Sequence, residues 1–435
     1  MSLAEHYPPD LLARWVSDAR QKTFDLVADL SDEQMMGPAL SIVNPPLWEI
    51  GHHAWFQSRW VLREACGQAP PREDEDALYD SIGIAHDTRW DLLLPSRAET
   101  LAYMAEVRDR VLDALSAPDV SEEVLYHVLY STLHEDMHCE AHTYTRQTHG
   151  YPPPAFSDRV AASSPVPSEP APGDAFVEGG TFWFGSREDE PFVFDNEKWA
   201  HPVALEPFEI SRQTVTQAEY LAFVEDGGYA RDELWCEEGR TWREQEDARH
   251  PVHWKQEGGW LRRHFDRWVD LEPDLPVIHV NWYEANAYCR WAGRRLPTEA
   301  EWEAAASTDS EDGHSESKPR FPWGDEVPSP DTANLDWGRM GCLEAEALPA
   351  GDSTVGCRQM IGNLWEWTSD AFCPFPAFTP DPYVEYSEPW FETRKSMRGG
   401  CWATRSRLIR TNYRNFQTPD RRDIWVGFRT CALQS

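Results

Sequence analysis

The chain has 435 residues, and at roughly 100–200 residues per domain this length predicts two or three domains with a core that needs no staples. It carries 40 Lys and Arg against 75 Asp and Glu, a formal net charge of −35, which argues against nucleic acid or an anionic membrane as a partner. A hydrophobic content of 41% and an aromatic content of 12% exclude wholesale disorder, and 22 Trp point to an aromatic-rich, irregular architecture.

The opening MSLAEHYPPDLLARW has neither a basic stretch nor an apolar run behind it, so no signal peptide is expected. No stretch of about 18 apolar residues predicts a transmembrane helix. Nine cysteines, an odd number without CxxC spacing, predict reduced thiols and a cytoplasmic protein.

Helical patterns dominate the first 150 residues. Apolar residues recur three and four apart over 10–30, 48–65, 98–115 and 122–147, which predicts a four-helix bundle. Asp10, after Pro8 and Pro9, is the expected cap of the first helix. Residues 151–174 are too rich in Pro, Ser and Ala for a helix and predict a linker. From 175 to 435, Gly, Pro and Trp alternate with short apolar runs, predicting short strands and long loops. Helices are expected in TQAEYLAFVED, in WYEANAYCRWAG and in LPTEAEWEAAA, the last with Thr298 and Glu301 as a capping box. The fold class is therefore α+β in two domains.

The densest chemistry lies at His134-Glu135-Asp136-Met137-His138 on the fourth predicted helix, where histidines at i and i+4 share one face within reach of one metal ion. His52 and His53 on the second helix point in different directions, so only one of them is expected to enter the bundle. Three imidazoles from two helices leave open metal positions, a catalytic arrangement rather than a closed structural one. Two plainer readings stand beside it. A His pair at this spacing is often ordinary surface or core histidine, and HExxH is also the zinc-protease string, with Glu135 as general base. No HxxGxxH extension or downstream Glu ligand supports the protease, and spacing gives His142 and His149 no role.

NPPLWEIGHHAWF together with HEDMHCEAHTY resembles the DinB-like bundle of non-haem iron enzymes that build thiohistidines. VEGGTFWFGS, FEISRQTVTQAEYLAF, PVIHVNWYEANAYCRWAGRRLPTEAEWEAAA, FPWGDE, GNLWEWTSD and RGGCWATRSRLIRTNYRNFQTPDRRDIWVGFR resemble the formylglycine-generating-enzyme fold, a C-type-lectin-like domain. The resemblance implies Fe(II) held by His52, His134 and His138, with O₂ as co-substrate. It also implies that a chalcogen is joined to the imidazole C2 of hercynine, the trimethylated betaine of histidine. A substrate pocket between the two domains follows from the same likeness, with Asn415 and Phe416 at the betaine end. An aromatic surround suits a quaternary ammonium.

Three departures from the sulfoxide synthases of that family bear on the donor. Met137 replaces a Gln before the second helix histidine. Pro374-Phe375-Pro376-Ala377 stands where those enzymes carry a Tyr implicated in proton delivery. Arg89 lacks a clear partner for a carboxylate-clamping Arg pair. Together they resemble the selenoneine synthase branch, whose donor is a selenosugar; the alternative is a sulfoxide synthase using γ-glutamylcysteine or cysteine. Cys401 follows the RGG motif without the second Cys of a copper pair, so it is expected to be buried and inert.

Overall fold

Proline sets where the first two long helices begin. Pro9 and Pro46 each open a helix, where the missing N–H has no intrahelical partner to lose. Helix α1 spans Pro9–Val27, and α2 spans Pro46–Gln57 before running on as a π-helix over Ser58–Ala65. Asp10 is not the expected cap: it lies inside the first turn of α1 and pairs with Arg14 at 2.8 Å, while Pro8 holds the cap position. Helix α3, Arg97–Leu115, opens on a capping box formed by Ser96 and Glu99. Helix α4, Glu122–His149, starts at Ser121, whose hydroxyl accepts from Val124 N. It stops at Gly150, whose φ of 69° is left-handed.

The apolar stripes read from the sequence face inward. Leu12, Val16, Ala19 and Leu26 of α1, Met104, Val107 and Val111 of α3, and Leu125, Val128 and Leu129 of α4 are buried. The same core holds charge. Arg20 of α1 donates to Glu135 of α4 from Nε at 2.8 Å and from Nη2 at 3.2 Å, and to Gln57 at 2.8 Å. The Thr23 hydroxyl donates to Glu135 at 2.7 Å. Removing one partner of such a pair strands a buried charge at about 3–5 kcal/mol, so the pair locks the register of α1 on α4.

The computed structural model describes residues 2–156, 171–307 and 318–434 and divides into two units, Met1–Arg159 and Val160–Ser435. Most of the expected linker, residues 157–170, lies outside the described residues. Among the described residues, no helix is long and apolar enough to cross a membrane.

In the second unit, strands β1 (Asp174–Val177), β2 (Gly180–Phe184), β3 (His201–Leu205) and β4 (Phe208–Ser211) come first. They are followed by β5 (Trp254–Gln256), β6 (Trp260–His264), β7 (Arg267–Asp270) and β8 (Arg294–Arg295). The last five are β9 (Trp365–Ala371), β10 (Lys395–Arg398), β11 (Asn415–Gln417), β12 (Val426–Gly427) and β13 (Cys431–Ala432). Two four-stranded sheets run in the orders β1-β4-β13-β8 and β11-β10-β9-β12, beside a β2-β3 pair and a β5-β6-β7 sheet. The expected helices form as Gln217–Glu225, Trp282–Trp291 and Glu299–Ser307. The Thr298 box is present: Thr298 N donates to Glu301 at 2.7 Å and Glu301 N to the Thr298 hydroxyl at 3.1 Å.

The tryptophans that made the sequence unusual form the core of this unit. Trp302, Trp337, Trp365, Trp367, Trp402 and Trp425 are fully buried, and the Trp302 indole donates to Glu366 at 2.9 Å. Glu366 also receives Arg429 at 2.6 Å, and Glu299 receives Arg414 at 2.7 Å and Arg398 at 3.0 Å. Burial raises the Glu299 pKa, but Arg414 and Arg398 outweigh it and hold the group at about 2. Every carboxylate in this network has a guanidinium opposite it, the condition for keeping charge inside a core.

Candidate metal centre

His134 and His138 lie one turn apart on α4, and His52 faces them from α2. One nitrogen of each lies within 4.8 Å of the others. His134 Nε2 and His138 Nε2 are 3.2 Å apart, near the spacing of two ligands on an ion with bonds of about 2.1 Å. Aromatic neighbours fix the ring planes. Phe56 stacks on His134 with centroids 3.7 Å apart and planes at 9°, and Trp48 stacks on His52 at 5.1 Å and 9°.

Hydrogen bonds to the outer nitrogens set the tautomers. The Tyr79 carbonyl only accepts, so His52 Nδ1 donates to it at 2.9 Å and Nε2 keeps its lone pair. His138 Nδ1 donates to Glu49 Oε1 at 2.7 Å, which likewise leaves Nε2 with the lone pair. Burial is the first cause that pulls His52 down to about 3, helped by the charges of His138 and Arg89. Burial also holds His134 well below the ordinary imidazole range. These are neutral imidazoles at physiological pH, the form that ligates metal. Burial pushes Glu49 up, but His142 and His138 outweigh it and hold the carboxyl at about 2, so Glu49 is ionised.

Both neighbouring histidines of α2 enter the bundle, contrary to the expectation that only one does. His52 is 2% exposed and His53 is 1% exposed. Every residue of α2 except Leu47 is buried, so a rotation of 100° from His52 to His53 leads from one part of the interior to another. His53 meets Glu49, one turn earlier on α2, and His142, one turn beyond His138 on α4. One ligand atom from each of these three lies within 4.8 Å of the others. Sequence reading missed this second group, although Glu49 and His53, like His138 and His142, stand four residues apart.

Glu135 of the HExxH string faces away from the histidines and is held by Arg20 and Thr23. The zinc-protease reading therefore lacks its general base. Met137 is half-buried on α4. Arg89 lies over Trp48 at 3.9 Å, on the ring that also stacks on His52, and donates to Asn44 at 2.6 Å and to the Ser81 carbonyl at 3.0 Å. The structure thus brings His52, His134, His138 and Arg89 into one connected group in the first unit.

In the second unit Phe375 is buried against Phe184 and His201, each with centroids 4.8 Å away, and under the Arg414 guanidinium at 4.2 Å. Ala377 has a φ of 59°, a conformation that favours glycine. Phe416 stacks on Phe372 at 4.0 Å, and Asn415 Oδ1 accepts from Phe416 N at 2.7 Å. Cys401 is buried, and all nine cysteines are free thiols.

Comparison with known proteins gives each unit a counterpart. Residues 16–140 match the DinB superfamily, and residues 160–433 match the sulfatase-modifying factor enzyme 1-like domain. The chain is 36% identical over 434 residues to the hercynine oxygenase of Mycolicibacterium thermoresistibile, covering 96% of this chain and 94% of that protein. It is 36% identical over 431 residues to the hercynine oxygenase of Mycobacterium tuberculosis, covering 97% and 98%. The formylglycine-generating enzyme of Streptomyces coelicolor is 31% identical over 319 residues, which cover 63% of this chain and 96% of that enzyme.

Proposed function

The chain belongs to the hercynine oxygenase family, and we propose that it joins selenium from a selenosugar to the imidazole C2 of hercynine, using O₂ and an Fe(II) ion at His52, His134 and His138. The donor set fits such an ion: three imidazoles converge, two of them with the tautomer fixed by Tyr79 and Glu49, and three ligands leave room for substrates. When bound, the ion supplies activation of dioxygen. The reaction balances as hercynine C2–H plus selenol Se–H plus O₂, giving a C–Se bond, one oxygen atom on selenium and the other in water.

The chain's own residues bind and orient. Trp48 and Phe56 hold the ligand rings in plane, and Met137 stands next to His138 on α4. Asn415 and Phe416 are the proposed contacts to the betaine. The Phe416 ring suits the trimethylammonium, a cation–π contact of about 0.5–2 kcal/mol. Because Asn415 Oδ1 is engaged by Phe416 N, its amide NH₂ is left to donate to the carboxylate. Phe375 offers no phenol for proton transfer. A selenol, more acidic than a thiol, reaches its anion without a strong local base.

The observation that carries the choice of donor is Arg89. Its two terminal nitrogens are engaged by Asn44 and Ser81, so it is not free to grip two carboxylates, whereas a sugar has hydroxyls instead. Identity of 36% to hercynine oxygenases favours a second reading, C–S bond formation with γ-glutamylcysteine or cysteine. The test is anaerobic loading with Fe(II) and hercynine, addition of equimolar selenosugar, γ-glutamylcysteine and cysteine, then O₂, with products identified by mass spectrometry. A selenium isotope pattern on the main hercynine adduct is expected. Efficient sulfoxide formation with the selenosugar inert overturns the selenium assignment and leaves the second reading.

A further inference from the structure

We propose that Glu49, His53 and His142 form a second divalent-metal site, distinct from the His52, His134 and His138 group and joined to it by the Glu49–His138 hydrogen bond. Three observations converge on it. One ligand atom from each residue lies within 4.8 Å of the others, and all three side chains are buried. Both ring nitrogens of His53 and Nε2 of His142 are buried without a hydrogen-bond partner among the described residues. A buried polar atom left that way keeps its desolvation cost uncompensated, and a metal ion on an imidazole lone pair removes that cost at the ligating nitrogen. Finally, the Glu49 carboxylate is buried between the two groups, and its Oε1 accepts from His138 Nδ1 at 2.7 Å.

The donor set selects the class of ion. Two imidazoles and one carboxylate suit a first-row transition ion such as zinc, while calcium and magnesium take oxygen ligands. Closing the three atoms onto bonds of about 2.1 Å requires each to move by less than about 1 Å. The ion would pin Glu49 in place and draw charge from the oxygen that accepts from His138, so it tunes a ligand of the first site. A buried water bridging the same three residues is the competing occupant.

The experiment is a metal count on the full chain. Chelator-stripped protein is saturated with Zn(II), desalted and analysed by elemental mass spectrometry. Two equivalents are expected for the native chain, one for His53→Ala and one for His142→Ala. If both variants hold as many equivalents as the native chain, the second site is wrong. Anomalous diffraction from zinc-soaked crystals of the native chain avoids any folding defect of a variant. A peak among Glu49, His53 and His142 is expected, and a peak at the His52 group with none here overturns the second site. The reading of the first site is tested separately: His52→Ala should lose one equivalent and keep the peak at Glu49, His53 and His142.

Discussion

His138 Nδ1 donates to Glu49 Oε1 at 2.7 Å, and this one bond decides which nitrogen of His138 faces His134 and His52. Without it the ring is free to carry its proton on Nε2, and the lone pair needed by a metal is lost.

Glu49→Gln keeps an accepting oxygen but removes the charge, and Glu49→Ala removes both. Partners of this kind change metal affinity by about 10–100-fold, and that loss is expected for Glu49→Gln, with Glu49→Ala at least as weak. Competition of Fe(II) against a coloured chelator reads the change. An unaltered affinity in both variants would show that the bond is incidental to the site.

The pKa shifts give the metal-free protein a defined response to acid. His52 is held at about 3 in the folded chain, chiefly by burial, against an unfolded value of about 6.5. Between these values the unfolded chain binds more protons, so stability rises with pH and is lost on acidification from about 6.5 downward, by about 1.4 kcal/mol per pH unit for each such group. Burial lowers His53, His134 and His142 as well, so they add in the same direction. Glu49, at about 2, contributes stability that is lost as pH falls below its unfolded value of about 4.5. Urea midpoints of chelator-stripped protein should therefore drop steeply from pH 7 to pH 5. A flat midpoint across that range would mean the histidines are not buried neutral.

Gly51 predicts a more local effect. A Cβ at Gly51 would stand 2.2 Å from Cε1 of Tyr79, the residue whose carbonyl receives His52 Nδ1. Tyr79 is buried and has little room to retreat. Gly51→Ala should cost about 1–3 kcal/mol by overpacking. It should also weaken metal binding, because shifting Tyr79 moves the acceptor that orients His52. Loss of stability with full metal affinity would separate the two effects and place the Tyr79 backbone beyond the reach of its ring.

Much of this was legible in the residues, and the misses have physical causes. The spacing in α1 and α3 was legible because each of these helices buries one stripe, and the Thr298 box located a helix start because its two hydrogen bonds are local. His134 and His138 were legible for the same reason. The second group was not, because adjacency on a helix suggests one residue in and one out. That rule fails for α2, which is buried on all sides. Glu49, His53 and His142 were marked only by their four-residue spacing, which becomes informative once α2 is known to have no exposed face. Asp10 misled because a good capping residue stood next to two prolines that set the helix start by themselves. Asn415 and Phe416 sit on a strand paired with residues 395–397, a partner no local pattern names.

Arg89 offers the sharpest separation between a structural role and a role in donor binding. Its guanidinium stacks on Trp48 at 3.9 Å, Trp48 stacks on His52 at 5.1 Å, and its terminal nitrogens donate to Asn44 and Ser81. A lysine keeps the charge but has neither the planar face for the stack nor the fork for two acceptors. Arg89→Lys should therefore lower stability by about 1–3 kcal/mol, the cost of leaving a buried acceptor without its donor. Metal binding should weaken with it, through Trp48 and His52. KM for the selenosugar and for γ-glutamylcysteine should change together, since neither donor loses a contact of its own. If Arg89 instead clamped the carboxylates of a thiol donor, KM for γ-glutamylcysteine alone would rise, by about tenfold or more for a charge-assisted contact of 1.5–3 kcal/mol, with the melting temperature unmoved. Thermal melts recorded beside steady-state kinetics with each donor distinguish the two outcomes, and a donor-selective rise in KM would return the chain to C–S chemistry.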